Sequence, residues 1–352
     1  MKTKNYILIA ILGILLFVSC ENPPIFSAIE QEIHLKNFSV DGNIIGIINV
    51  GANVYAASPA KIYSKGNGSD AIWSEILDAG RITGDAGRIT GLASDGTNIF
   101  VSFQSGKVKF LDTNNEWKDI PHTENIQRVF GNKTVFGYDS SNKKVYKIST
   151  SSSQEILADD NSIISAANDY FLITGKSKTD NEAAVSPKLY KGAALQNGLP
   201  EKAINICAFD NDNIFVLADS SLYYYTDNGT WNNKIEIKKD KVPFTISYFK
   251  ERKTVLIGCI KGYTEIKLDN DNPTDLSKAK QLNPGEEGST TPPDSNAQYQ
   301  SAIGLYVTSP ILGVGRGDST YALFVGIHAG AIYRNTGLWG FYSYKKREWN
   351  RE

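Results

Sequence analysis

Cysteine is nearly absent from this chain: 352 residues contain three, Cys20, Cys207 and Cys259. Three cysteines cannot build the disulfide framework on which small secreted folds rely, so packing must hold the domain together. Cys207 and Cys259 lie in apolar surroundings, Ile206-Cys-Ala208 and Gly258-Cys-Ile260, and read as small core side chains. Charge of one sign is also missing, with 37 Lys and Arg against 38 Asp and Glu. That balance excludes a nucleic-acid or polybasic membrane footprint. Histidine is scarce, and His34, His122 and His328 show no metal-ligand spacing, so neither a metal nor a cofactor is expected. Asp210-Asn-Asp-Asn213 and Asp269-Asn-Asp-Asn272 open like calcium loops but lack the following Gly and distal Glu, and read as turns. No Gly-x-Ser-x-Gly elbow or phosphate-cradling glycine loop occurs. No apolar run reaches the about 20 residues that cross a bilayer.

The longest apolar run, residues 7–18, follows Lys2 and Lys4 and ends at Ser19-Cys20. A run this short with these flanks is a leader rather than a spanning helix. Leu16-Phe17-Val18-Ser19-Cys20 resembles the relaxed lipobox of spirochaete lipoproteins. The resemblance implies cleavage after residue 19 and acyl chains on Cys20, several of which anchor where one is marginal. Residues 1–19 are then a signal peptide and 20–31 a polar, Pro-containing tether. The expected place is the cell envelope, at the outer membrane, with periplasmic and surface-facing orientations both open.

From residue 32 onward the chain repeats. Gly/Asn/Asp turns precede β-branched or aromatic runs beginning near Val54, Ile99, Val135, Phe171, Ile214, Val255 and Ala322, at spacings of 45, 36, 36, 43, 41 and 67. Tryptophan marks a second register: Trp73, Trp117 and Trp231 follow their run starts by 19, 18 and 17 residues. The apolar bursts are too short and too closely bounded by turns for helical repeats. Periods near 40 with this composition belong to four-stranded propeller blades. The expected fold is all-β, a seven-bladed β-propeller with six or eight as the neighbouring counts, and the three tryptophans are expected as core anchors. Trp339 and Trp349 compete for that position in the last repeat, and residues 32–38 compete as a closing strand.

The segment Thr226-Asp-Asn-Gly-Thr-Trp231 is similar to the Asp-box hairpin of sialidase-like propellers, with one residue missing and Tyr225 in place of Ser. In that family the box is structural, so the resemblance implies a hairpin and no catalysis. A sialidase-like glycoside hydrolase needs arginines converging on a carboxylate, and the family's Phe/Tyr-Arg-Ile-Pro signature is absent here.

Three long departures from the repeat, residues 78–91, 175–187 and 269–300, map to connections that share one face of a propeller. The first is a perfect tandem heptad, Asp78-Ala-Gly-Arg-Ile-Thr-Gly84 and Asp85-Ala-Gly-Arg-Ile-Thr-Gly91, read as a loop insertion; the third is Pro/Gly-rich and is expected to be unpacked and mobile. Loops on a rigid scaffold concentrate binding residues, which makes Arg81, Arg88, Lys176, Lys178, Glu286, Glu287 and Tyr299 the candidate contact set. The function expected is non-catalytic binding of a protein or glycan partner through that face. The alternatives are a surface adhesin for host ligands and, third, the glycosidase.

Overall fold

The computed structural model describes residues 40–352, except 68–71, 82–86, 160–161, 175–185, 227–228, 230, 239–240, 318, 329–335 and 346. Cys20, the leader, the tether and the suggested closing strand at 32–38 lie outside the described residues. Within them the short β-branched runs form strands, and each Gly/Asn/Asp cluster reverses the chain. Seven antiparallel four-stranded meanders follow one another, over residues 46–78, 89–119, 128–158, 162–196, 203–236, 243–282 and 307–351. They are numbered 1 to 7 here, with strands a to d in chain order. A single parallel pairing, Gly262 with Val307, joins the sixth and seventh. All seven run starts marked by the sequence fall in b strands: Asn53–Ala57, Ile99–Phe103, Val135–Asp139, Tyr170–Thr174, Ile214–Ala218, Thr254–Cys259 and Tyr321–His328.

The a strands touch one another in cyclic order, each against the next and the seventh against the first. That ring makes the architecture a β-propeller around a central channel. In five meanders the a strand slips register one or two residues in, at Ile89/Gly91, Ile163/Ser165, Ala203/Asn205, Pro243/Thr245 and Thr308/Ile311. Such bulges release groups from the ladder, and neighbouring meanders use them. Thr90 Oγ1 donates to Gln127 O, Ile206 N donates to Ser165 Oγ at 3.2 Å, and Asn205 Nδ2 donates to Phe244 O at 3.1 Å. Glycine permits the approach: a Cβ on Gly91 would stand 2.7 Å from Val129 O, and one on Gly258 2.3 Å from Thr308 O.

The core lies in layers between sheets. Phe215 and Leu222 of meander 5, for example, pack with Val255, Ile257 and Ile266 of meander 6. Cys207 and Cys259 are both buried in that layer, and burial pushes the Cys207 thiol well up. Each tryptophan sits at the start of a d strand and reaches the preceding meander. The Trp117 indole donates to Ile76 O at 3.0 Å, and that of Trp231 to Asn197 O at 3.1 Å. Trp73 donates to the Glu352 carboxylate at 2.7 Å, joining meander 1 to the end of meander 7. Trp349, fully buried, opens the d strand of meander 7, so it and not Trp339 holds the anchor position.

The segment 269–300 corrects one expectation, because it is packed. It supplies the d strand of meander 6, Lys280–Leu282, and a short helix, α1 (Asn296–Ala302). Ser289, Thr290 and Thr291 are buried despite their polarity. Thr290 is held by Glu265, itself buried, whose carboxylate accepts from Thr290 N at 2.9 and 3.0 Å and also from Thr290 Oγ1. Tyr263 and Thr291 share a hydroxyl bond of 2.7 Å, and Tyr321 Oη donates to Thr290 O at 2.6 Å. A Pro/Gly-rich stretch reads as unpacked only while its partners are out of view.

Burial pushes the Glu265 carboxyl up to about 7 against its bonds from Thr290 and the nearby Arg252 and Lys267 charges. The folded state therefore holds this proton more tightly than the unfolded chain, whose carboxyl titrates near 4.5. The resulting stability is complete below pH 4.5 and is lost as pH rises through 7, about 3 kcal/mol in all. Glu265→Gln should gain that amount on the wild type between pH 4.5 and 8 in denaturant titrations. A wild-type-minus-variant difference that stays flat across the range would contradict the assignment.

Candidate functional site

Connections from strand b to c, and from d to the next a, emerge on one end of the ring. Here that end carries two features. The first is a cleft of about 740 Å³ between meanders 1 and 2, lined by Asp41, Asn43, Ser58, Lys61, Tyr63, Arg88 and Gln104. Its wall is pinned by backbone bonds from Ala79 N to Ala60 O, Ile89 N to Pro59 O and Gln104 N to Arg88 O, each 2.8 Å. Lys61 is held by Glu75 at 2.6 Å, and that hydrogen bond raises its pKa.

The second feature is apolar. Among the described residues six large hydrophobic side chains are exposed, and four of them, Val242, Phe244, Ile260 and Leu305, lie on this end. Val242 and Phe244 enter meander 6, Ile260 caps its b–c turn, and Leu305 leads into meander 7. They form one patch: Ile260 N donates to Val242 O at 2.9 Å, and Gly262 N donates to Tyr306 O at 2.7 Å, beside Leu305. Lys241, whose ammonium donates to Lys261 O at 2.8 Å, edges it.

The residues singled out from the sequence divide sharply. Arg88 lines the cleft. Arg81 ends the 3₁₀ turn Ala79–Arg81 beside it, four-fifths exposed and 3.3 Å from Asp78. Lys176 and Lys178 lie outside the described residues. Glu286 and Glu287 are exposed but belong to a segment tied to the other end of the ring: Gly288 O accepts from Arg252, in an a–b turn, and Asp294 pairs with Arg347, in a c–d turn. They do not join Arg81 and Arg88. Tyr299 offers no contact surface at all, because α1 buries it against Tyr263 and Trp349. The tandem heptad is only partly a loop, since Ile89, Thr90 and Gly91 open strand a of meander 2.

The central channel, about 350 Å³, is lined by a strands from all seven meanders, and among the described residues Arg128 is its one charged lining residue, its guanidinium 4.9 Å above Phe130. A converging set of arginines, as a sialidase site needs, is absent from that lining. Asp210 and Asp269 spend their carboxylates on backbone N–H groups of their own turns. Among the described residues no three His, Cys, Asp or Glu side chains converge as metal ligands would.

Fold and repeat together define a β-propeller. The chain belongs to the TP013X lipoprotein family, whose model matches residues 2–352. It is similar to two lipoproteins of Treponema pallidum (strain Nichols). One is 26% identical, with 95% of this chain and 93% of the relative covered, and the other 24% identical, with 97% and 95% covered. Family membership associates it with the cell envelope. Among solved structures it resembles the WD40 β-propeller domain of Doa1, at a TM-score of 0.54 and 11% identity over 87% of this chain and 95% of that one. It also resembles the computationally designed Ika8 protein, at a TM-score of 0.51 and 12% identity over 85% and 83%. Likeness at that identity carries the fold alone.

Because the two heptads are identical, deleting either leaves the same chain, and the remaining Ile-Thr-Gly can open strand a of meander 2. Three residues, 159–161, suffice for the equivalent connection between meanders 3 and 4. The deletion should preserve cooperative unfolding and change stability by less than about 1 kcal/mol, measured by denaturation. Loss of the cooperative transition would show that the duplicated residues carry packing that this arrangement does not assign them.

Proposed function

We propose that this protein is a lipid-anchored envelope component, held at the outer membrane by acyl chains on Cys20, whose propeller docks a protein partner through the b–c and d–a face without catalysis. The observation that carries the reading is the patch of Val242, Phe244, Ile260 and Leu305. Contiguous apolar surface with a polar edge is what protein partners cover, whereas a glycan site presents polar groups. The cleft beside Arg88, between meanders 1 and 2, supplies charge on the same face. A catalytic reading has less support, since neither the cleft nor the channel gathers paired acids or arginines.

A photo-cross-linking side chain placed at Leu305 in living cells, with Ile72 as control, tests this. Ile72 is equally apolar and more exposed, but it lies in a c–d connection at the opposite end. A discrete protein adduct from Leu305 and none from Ile72 is the expected result. Adducts from Ile72 alone, or from neither position, would refute the docking face.

A further inference from the structure

The opposite end of the ring holds a different site. Between meanders 6 and 7 the a–b turns at 250–253 and 316–320 and the c–d connection at Asn270 enclose a cleft of about 420 Å³. Its lining brings in Arg252, Lys253, Lys267 and Arg316 against one carboxylate, Glu251; Asp318, in the same turn as Arg316, lies outside the described residues. Among the described residues none of the four cations forms an ion pair. Their bonds go to backbone carbonyls: Arg252 Nη2 donates to Gly288 O at 3.3 Å, Lys253 Nζ to Asn270 O at 2.7 Å, and Lys267 Nζ to Arg252 O. The two guanidinium groups sit over rings, Arg252 at 4.6 Å from Tyr321 and Arg316 at 4.3 Å from Tyr344. Both Nε atoms are buried without a hydrogen-bond partner.

We propose that this cleft binds a doubly charged oxyanion, a phosphate or sulfate monoester. Four cations against one carboxylate leave this cleft with an excess of positive charge, which an oxyanion neutralises through charge-assisted hydrogen bonds. Guanidinium groups held over aromatic rings are pre-organised for such a ligand, and a cavity of this size leaves room for an organic body beyond the anionic head. Burial first, and then the Arg252 charge, lower the Lys267 pKa. The charge of Lys267 is therefore held at a cost that a bound dianion would relieve. The nearest buried carboxylate, Glu265, is committed to Thr290.

The test is calorimetric titration of the acylated protein in detergent with inorganic phosphate, sulfate and glucose 6-phosphate, against chloride at matched ionic strength. Phosphate and sulfate should bind and chloride should not. Lys253→Gln/Lys267→Gln and Arg316→Gln should each weaken binding at least tenfold, with thermal melts in anion-free buffer reporting that the variants remain folded. Micelles doped with phosphatidic acid separate the sources: competition by the lipid assigns a membrane headgroup, and tighter binding of glucose 6-phosphate than of inorganic phosphate assigns a soluble ester. Absence of any preference over chloride, or unchanged affinity in both folded variants, would overturn the site.

Discussion

Everything on either face depends on the joint where the seventh meander meets the first. A ring of sheets packs face to face without a gap only if that last joint holds. An apolar layer of Val54, Ala56 and Tyr63 against Val314, Phe324 and Leu338 fills it, and one carboxylate ties it: Glu352 accepts from Trp73 Nε1 at 2.7 Å and from Tyr342 Oη at 2.7 Å and pairs with Lys65 at 2.6 Å. Both charged side chains are only 7% exposed. The ammonium also sits 4.7 Å above Tyr342 and 5.6 Å above Trp73. Backbone adds one further bond, from Val40 N to Glu352 O at 3.3 Å. Burial lowers the Lys65 pKa, and the bonds from Trp73 and Tyr342 to the carboxylate, with the two rings beneath the ammonium, offset that cost.

The same device, a tryptophan at the start of strand d reaching back to the outer strand of the preceding meander, is what made the repeat readable. Trp117 and Trp231 reach backbone carbonyls, and Trp73 reaches Glu352. Because each anchor serves a joint of the same geometry, its distance from the b strand is constrained, and the chain shows that constraint as constant spacing. The b strands were legible for a related reason: all are apolar on both sides, being sandwiched between neighbouring sheets.

What escaped the sequence was anything that depends on partners far apart in the chain. Residues 289–291 are three consecutive hydroxyl side chains, and nothing local says that Glu265 and Tyr263 await them. Tyr299 sits among Asn, Gln and Ser in a seven-residue helix too short to display an apolar face, yet it is core. The apolar patch was missed because Val242, Ile260 and Leu305 come from three connections far apart in the chain, and nothing local tells them from buried apolar neighbours such as Ile237 and Ile303. Arg88 was legible since loop length alone pointed to its connection. Glu286 and Glu287 were misplaced because their segment folds to the other end of the ring.

A closed, stiff ring can hold chemically unlike surfaces on its two ends, apolar at Leu305 and cationic at Arg252, since neither surface has to contribute to the fold. The measurement that bears most directly on this account is equilibrium unfolding of Glu352→Ala. Removing one partner from a satisfied buried pair should cost about 3–5 kcal/mol, and adding Lys65→Met should restore much of it. A loss below about 0.5 kcal/mol would mean that the ring does not close through this carboxylate.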